Sequence, residues 1–289
     1  MFKHTDLPTL FLIIACYAVW GALLFWAPIW LTLVLLGPVI TLHSSLQHEA
    51  LHGHPFRTAW LNTALVWPSL VVLVPYTRFR DTHLAHHYDP MLTDPYEDPE
   101  TNYLDPDVWQ RANPALRWLL SVNNTLSGRL LLGPIIGLVS FVVGEIRAMT
   151  ARSLRQWLGH LPAMALVLAV VWVSPTSVWT YAFGVYVGLS ILKLRTFLEH
   201  RAAPQCRART AIVENGGVFG FLFLNNNLHV VHHVHPTVAW YKLPRLYAAN
   251  KANYLRRNDG YFYRSYWDIL RRYAWRTKDP VAHPFWQKR

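Results

Sequence analysis

The chain has 289 residues, 53% hydrophobic and only 15% charged, against roughly 25% charged in an average soluble domain. That deficit argues for a membrane protein over a soluble enzyme, and two cysteines rule out a disulfide framework or a thiolate metal site. The formal charge of +11 does not indicate a nucleic-acid partner, because the basic residues lie in loops and the C-terminal tail rather than on one compact domain.

Residues 9–26 form an apolar run close to the roughly 20 residues needed to cross hydrocarbon. Ala27-Pro28 ends it, and a second run returns over residues 29–47 and leads into His48 and His52. No cleavable signal peptide is expected, since the first run is long and another follows at once. A third run, 58–76, is broken by Asn62, Pro68, Ser69 and Pro75. Further apolar stretches follow at 129–146, 158–173 and 178–197. Between the third run and these, residues 89–114 form a polar loop rich in Pro, Asp and Tyr.

Histidine spacing organises these elements. His83, His86 and His87 stand at i, i+3 and i+4, and His229, His232 and His233 repeat the pattern, so each trio projects from one face of a helix. His48 and His52 add an i, i+4 pair, and His200 follows the last apolar run as a ninth candidate. These imidazoles exceed the three protein ligands of a catalytic zinc or the four of a structural one, so a two-metal site is expected. Ligand type leaves zinc, copper, iron and nickel open. Metal-bound imidazoles pass their other N–H to a neighbouring acceptor, for which Glu49, Asp81, Asp94, Glu97, Asp98 and Glu199 lie close in sequence. His4, His43, His160 and His283 are read as ordinary polar side chains. His54 and His235 follow clusters by two residues and point off the shared face.

Convergence of the clusters sets the topology. If His48/His52 and His83/His86/His87 share metals, no single crossing can separate them, so 58–76 is expected to be re-entrant or interfacial. By the same parity only two of the three later runs can cross. The one at 129–146, which carries Arg129 and Glu145, is expected not to. The fold class expected is all-α: a single-domain integral membrane helical bundle with four spanning helices (9–26, 29–47, 158–173, 178–197), interfacial helices and a cytoplasmic histidine-lined di-metal cap. Residues 240–289 hold Lys242, Arg245, Lys251, Arg256, Arg257, Arg264, Arg271, Arg272, Arg276, Lys278, Lys288 and Arg289 against Asp259, Asp268 and Asp279. The positive-inside rule therefore puts this basic tail, both termini and the histidine clusters in the cytoplasm, on the inner membrane if the cell is bacterial.

The motifs His48-x-x-x-His52, His83-x-x-His86-His87 and His229-x-x-His232-His233 resemble the three histidine boxes of the membrane fatty acid desaturase and hydroxylase superfamily. The likeness extends to Arg195-Thr196-Phe197-Leu198-Glu199-His200 and to the Trp240-Tyr241-Lys242-Leu243-Pro244 stretch. It implies two non-haem irons held by the nine histidines, with Glu49, Asp81, Glu199 and Thr196 around them. Thr196 stands where some members carry a water-binding Asn, which leaves the tenth coordination position open. It also implies dioxygen as co-substrate, a fatty acyl or other lipid substrate among membrane lipids, and a separate electron donor such as a ferredoxin or cytochrome with its reductase. No His-Pro-Gly-Gly haem motif occurs. Desaturation is the reading preferred. Hydroxylation, ketone formation on a carotenoid and decarboxylation to an alkene could use the same metal set. His48-Glu49-Ala50-Leu51-His52 also fits the His-Glu-x-x-His zinc peptidase pattern, with Glu49 as general base, and a histidine-rich metal transporter or sensor is a third class.

Overall fold

A computed structural model describes residues 5–88 and 92–287, though not the side chain of Tyr88. His4, Lys288, Arg289 and the start of the 89–114 loop lie outside the described residues. The helices in chain order are α1 (Leu7–Phe25), α2 (Ile29–Leu51), α3 (Ala59–Val66), α4 (Tyr76–Tyr88), α5 (Pro106–Arg111), α6 (Pro114–Asn123), α7 (Leu126–Leu131) and α8 (Gly133–Arg147). They continue with α9 (Ala151–Val173), α10 (Val178–Thr196), α11 (Gly217–Leu222), α12 (His229–Val234), α13 (Leu243–Arg257) and α14 (Tyr266–Tyr273). Two short strands, β1 (Ile212–Asn215) and β2 (Phe262–Ser265), pair in parallel, an addition to the all-helical expectation.

The chain divides into two compact units, one of residues 1–81, 136–192 and 222–224 and the other of 82–135, 193–221 and 225–289. In the first, α1, α2 and α9 are long and apolar enough to cross a membrane. Asp6 starts α1 by accepting from the Thr9 amide and hydroxyl, and a Thr150/Ser153 capping box starts α9. α10 matches α1 in length, with 19 residues each, but its last turns carry Lys193 and Arg195, and it is not among the three. The 58–76 stretch is helical only over the 8 residues of α3, about 12 Å at 1.5 Å per residue.

Within this unit α1–α2 and α9–α10 form two hairpins whose turns meet. The Thr176 hydroxyl donates to Leu24 O at 2.9 Å, and the Thr32 hydroxyl to Leu23 O at 2.9 Å. Trp26, Trp30, Trp172 and Trp179 stand 64–84% exposed beside these turns, where amphipathic rings anchor a membrane protein at the lipid–water boundary. At the α2–α10 crossing, Gly184 and Gly188 form a small-x-x-x-small pair, and the Thr41 hydroxyl reaches Gly37 O and Gly188 O at 3.0 and 3.1 Å. A Cβ on Gly184 would meet Leu36 Cδ2 at 2.5 Å, and one on Gly188 would meet Ile40 Cγ2 at 2.9 Å.

The irregular backbone after α3 is buried among these helices: Leu70, Val71 and Val72 join Leu36, Ile40, Val167 and Val185 in one apolar core. Carbonyls without a helical partner are costly there, and each long helix sends a donor. Tyr17 donates to Pro68 O (3.0 Å), Gln47 to Val66 O (3.1 Å), His160 to Val72 O (2.6 Å) and Tyr181 to Leu70 O (2.7 Å). His43 Nε2 lies 2.8 Å from the Tyr17 hydroxyl, whose own hydrogen is committed to Pro68 O, so His43 is the donor. The tight surroundings hold Val72 at φ 68°, a left-handed geometry disfavoured for a β-branched residue.

In the second unit Ile212, Leu228, Val230, Val231, Leu243, Tyr247 and Tyr254 form the core. β1 pairs with β2 in the register Ile212↔Phe262, and the Ala211 and Asn227 carbonyls accept from Val230 and Val213. This seats α12 directly against β1.

Gly188→Val should lower the melting temperature of the detergent-solubilised protein, overpacking of this kind costing about 1–3 kcal/mol. Gly21→Ala on α1, whose added Cβ meets nothing within 4 Å, should leave it unchanged or raise it. Intrinsic-fluorescence melting of the two variants checks both.

Candidate metal centre

Seven of the nine predicted histidines belong to the second unit. α4 carries His83, His86 and His87; α12 carries His229, His232 and His233; His200 follows α10. α12 has only six residues, too few to be stable alone. Its Val230 and Val231 are at most 1% exposed, and that anchoring turns His229, His232 and His233 to the other side.

The imidazoles meet through their Nε2 atoms in two groups. His86 Nε2 lies 2.9 Å from His200 Nε2, which lies 3.0 Å from His229 Nε2, itself 3.1 Å from His233 Nε2. His83 and His232 each bring Nε2 within 3.0 Å of His87 Nε2. The ligand nitrogens of each group lie within 4.8 Å of one another. In the first unit, the α2 pair His48 and His52 packs edge to face with ring centroids 4.8 Å apart, His48 being 2% and His52 8% exposed.

The opposite ring edges are anchored. His83 Nδ1 is 2.8 Å from Glu100 Oε1, His86 Nδ1 2.7 Å from Asp98 Oδ1, and His229 Nδ1 2.9 Å from Asn226 Oδ1. Each acceptor holds a hydrogen on Nδ1, so Nε2 is the ring atom turned toward the neighbouring imidazoles. Lone pairs about 3 Å apart repel one another, and a cation among them removes the conflict. The donor set therefore fits transition-metal binding.

Local turns build this arrangement. Asp98 accepts from the Thr93 amide at 2.7 Å and the Glu100 amide at 2.9 Å, an Asx-type turn that folds Glu100 back to His83. Asn226 donates to Glu199 Oε1 at 3.2 Å, so its amide orientation is set while it serves His229. Asn225 and Leu224, in the turn before it, have φ of 58° and 50°, the region that asparagine tolerates best after glycine.

Electrostatics match the assignment. Burial and the neighbouring imidazoles push His87 down to about 3 and hold His200, His229 and His233 well below the ordinary histidine range, so these four carry no proton that a metal must displace. His86 is the exception: burial would depress it too, but Glu100 and Asp98 outweigh it and raise it to about 9, so a metal taking its Nε2 would displace a proton. The Glu100 carboxyl, which burial alone would raise, is held well below its usual range by His83 and His86. Burial raises Glu199, which is ion-paired to Arg195 at 2.9 Å and lies 3.5 Å from His229 Nδ1.

The other expected partners divide. Glu49 Oε1 stands 3.9 Å from His48 Nδ1. Asp81 faces no imidazole in any described contact; it accepts instead from Arg80, Arg152 and Gln156. The Thr196 hydroxyl is buried with no hydrogen-bond partner among the described residues. Glu100 and Asn226, which sequence reasoning missed, hold imidazoles directly. Of the acids expected near the second box, Asp94 accepts from the Tyr96 and Glu97 amides, whereas Asp98 stands against His86. His43 and His160 serve backbone and hydroxyl partners, as ordinary polar side chains do. His235 Nε2 lies 3.1 Å from the Tyr254 hydroxyl, His283 Nε2 3.0 Å from that of Thr93, and His54 pairs with Asp6.

A family model described as fatty acid desaturase matches residues 24–265, which take in all nine histidines. The chain belongs to that family. No curated protein gives a significant match. Membership makes the protein an oxidoreductase of the desaturase and hydroxylase type, and with three helices apolar enough to span a bilayer it points to the membrane.

Asp98→Ala and Glu100→Ala should each weaken metal retention 10–100-fold, the usual consequence of removing a partner that orients a ligating histidine. Asp81→Asn should retain the wild-type content. Metal per chain by plasma mass spectrometry after gel filtration distinguishes them.

Proposed function

We propose that this desaturase-family protein is a membrane-bound, di-iron, dioxygen-dependent enzyme that oxidises a lipid C–H bond, with fatty acyl desaturation as its reaction. The observation that carries the reading is the pair of Nε2-centred imidazole groups on α4, α12 and His200, with Nδ1 atoms fixed by Glu100, Asp98 and Asn226. His83, His87 and His232, together with His48 and His52, are the proposed ligands of one iron, and His86, His200, His229 and His233 those of the other. The nearly all-imidazole set leaves the bound ions strongly electrophilic.

Iron bound there would supply dioxygen activation and hydrogen-atom removal from an unactivated C–H bond. Loss of one hydrogen from each of two adjacent carbons, with two electrons and two protons from outside, balances one dioxygen to two waters and one alkene. The chain's own contribution is to orient the imidazoles, through the carboxylates of Asp98 and Glu100 and the amide of Asn226, while burial keeps His87, His200, His229 and His233 unprotonated. Glu49, Glu199 and Thr196 are proposed to complete the surroundings.

Four crossings are proposed, with α10 joining α1, α2 and α9. The meeting of the two hairpin turns through Thr176 and Leu24 supports this, and parity then keeps His48, His83 and His200 on one side of the membrane. The basic tail supports a cytoplasmic side by the positive-inside rule, and an acidic ferredoxin or cytochrome is the proposed electron donor. A zinc peptidase built on His48, Glu49 and His52 would leave seven converging imidazoles unused.

The deciding experiment is expression in a host lacking the activity, followed by lipid extraction and mass spectrometry. Acyl chains two hydrogens lighter should accumulate with the wild type and be absent with His200→Ala, and the purified protein should carry two irons per chain. Oxygenated or chain-shortened products would reassign the reaction within the family, and a single zinc without oxygen consumption would remove it from this chemistry.

A further inference from the structure

We propose that the cavity where α9 begins binds the headgroup of an anionic phospholipid, independently of the catalytic reading. The cavity, of about 350 Å³, belongs wholly to the first unit, and Trp67, Tyr76, Arg80, Arg152, Arg155 and His160 are among its walls. α9 is apolar enough to span the bilayer. Arg152 and Arg155 sit in its first turns, which puts them at headgroup depth, and His160 lies about 12 Å further along the helix from Arg152.

Charge at the rim is unbalanced. Arg80 and Arg152 share the Asp81 carboxylate, whereas Arg155 donates to its own helix at Ala151 O. Glu145 is taken up by Arg78 and Trp157. Three guanidinium groups thus meet one carboxylate, and a phosphodiester accepts from such groups in the paired geometry arginine favours. Deeper in, His160 is only 3% exposed. Its Nε2–H is given to Val72 O, and Nδ1 has no partner among the described residues. A lone pair buried in that way calls for a hydroxyl or a carried water.

The remaining wall, Trp67, Pro75 and Tyr76, is apolar and suits the glycerol backbone and first methylenes of a lipid rather than a small hydrated anion. Basic pockets at the cytoplasmic ends of membrane helices take phospholipid headgroups by this combination of charge and apolar wall. A fatty acid carboxylate shares the anionic, amphiphilic chemistry, and free phosphate shares the charge alone. Gly159 lines the cavity, and a Cβ added there meets nothing within 4 Å.

The test uses the full-length protein in a neutral detergent, with phosphatidylglycerol, phosphatidylcholine, oleate or inorganic phosphate added in turn. Native mass spectrometry reads the adduct, and thermal unfolding reads the stabilisation. Phosphatidylglycerol alone should be retained and raise the melting temperature. The double variant Arg152→Ala/Arg155→Ala and, separately, Gly159→Leu should each cut its retention at least fivefold. Gly159→Leu fills open space on a helix and should fold normally even where the arginine variant does not. Arg264→Ala, at an exposed position on β2, should retain the lipid like the wild type. Equal retention of phosphatidylcholine, oleate binding with the same sensitivity to the variants, stabilisation by phosphate alone, or adducts that survive both variants would each overturn the proposal.

Discussion

The constraint on which the rest of the second unit depends is that several imidazole lone pairs must be held face to face. Neutral rings drift apart or share protons unless their outer edges are tied. Here Glu100, Asp98 and Asn226 tie three of them at 2.7–2.9 Å. The turn that carries two of these ties is itself built by Asp98, one carboxylate serving a ring nitrogen and two backbone amides. Removing that group would release an imidazole and unfold its neighbour's anchor together.

A comparable accounting governs the first unit, where the expensive groups are backbone carbonyls rather than metal ligands. The segment after α3 leaves helical geometry inside the apolar core of the bundle, and such a break survives only when its polar groups are met from within the protein. Tyr17, Gln47, His160 and Tyr181 meet it from four different helices. These polar side chains on long apolar helices are therefore structural, and their placement explains why Pro68, Ser69 and Pro75 occur in a stretch of otherwise spanning hydrophobicity.

Much of this was legible in the sequence because helical period projects directly into space. Spacings of i, i+3 and i+4 put His83/His86/His87 and His229/His232/His233 on shared faces before any fold was known. What spacing could not show was contact made by a returning turn. Asp81 is close to His83 in sequence, yet on α4 it turns to Arg152 and Gln156, while Glu100 comes back through a turn that starts after the helix has ended. Asn226 hid within a run of three asparagines that have different partners. Asn225 and Asn227 donate to Trp240 O and Val213 O, and only Asn226 faces an imidazole. Hydropathy likewise placed the start of α9 at 158, although the helix begins at Ala151, because its first two turns are polar and capped rather than apolar.

Charge balance gives the groups behind the histidines a reason beyond orientation. An imidazole ligand brings no negative charge, so divalent ions bound there would keep their full charge in a buried place, where an uncompensated charge is costly. Asp98, Glu100 and Glu199 place three carboxylates one layer behind the rings, with Arg195 offsetting part of Glu199. Putting the negative charge behind the ligands rather than on them would offset much of that charge while leaving each bound ion electrophilic, an arrangement suited to the oxidation of a C–H bond. Carboxylates moved into direct ligation would balance the same charge but soften the ions, so the separation of binding from charge compensation is the feature by which this histidine-rich centre differs from the glutamate-rich sites of soluble di-iron bundles.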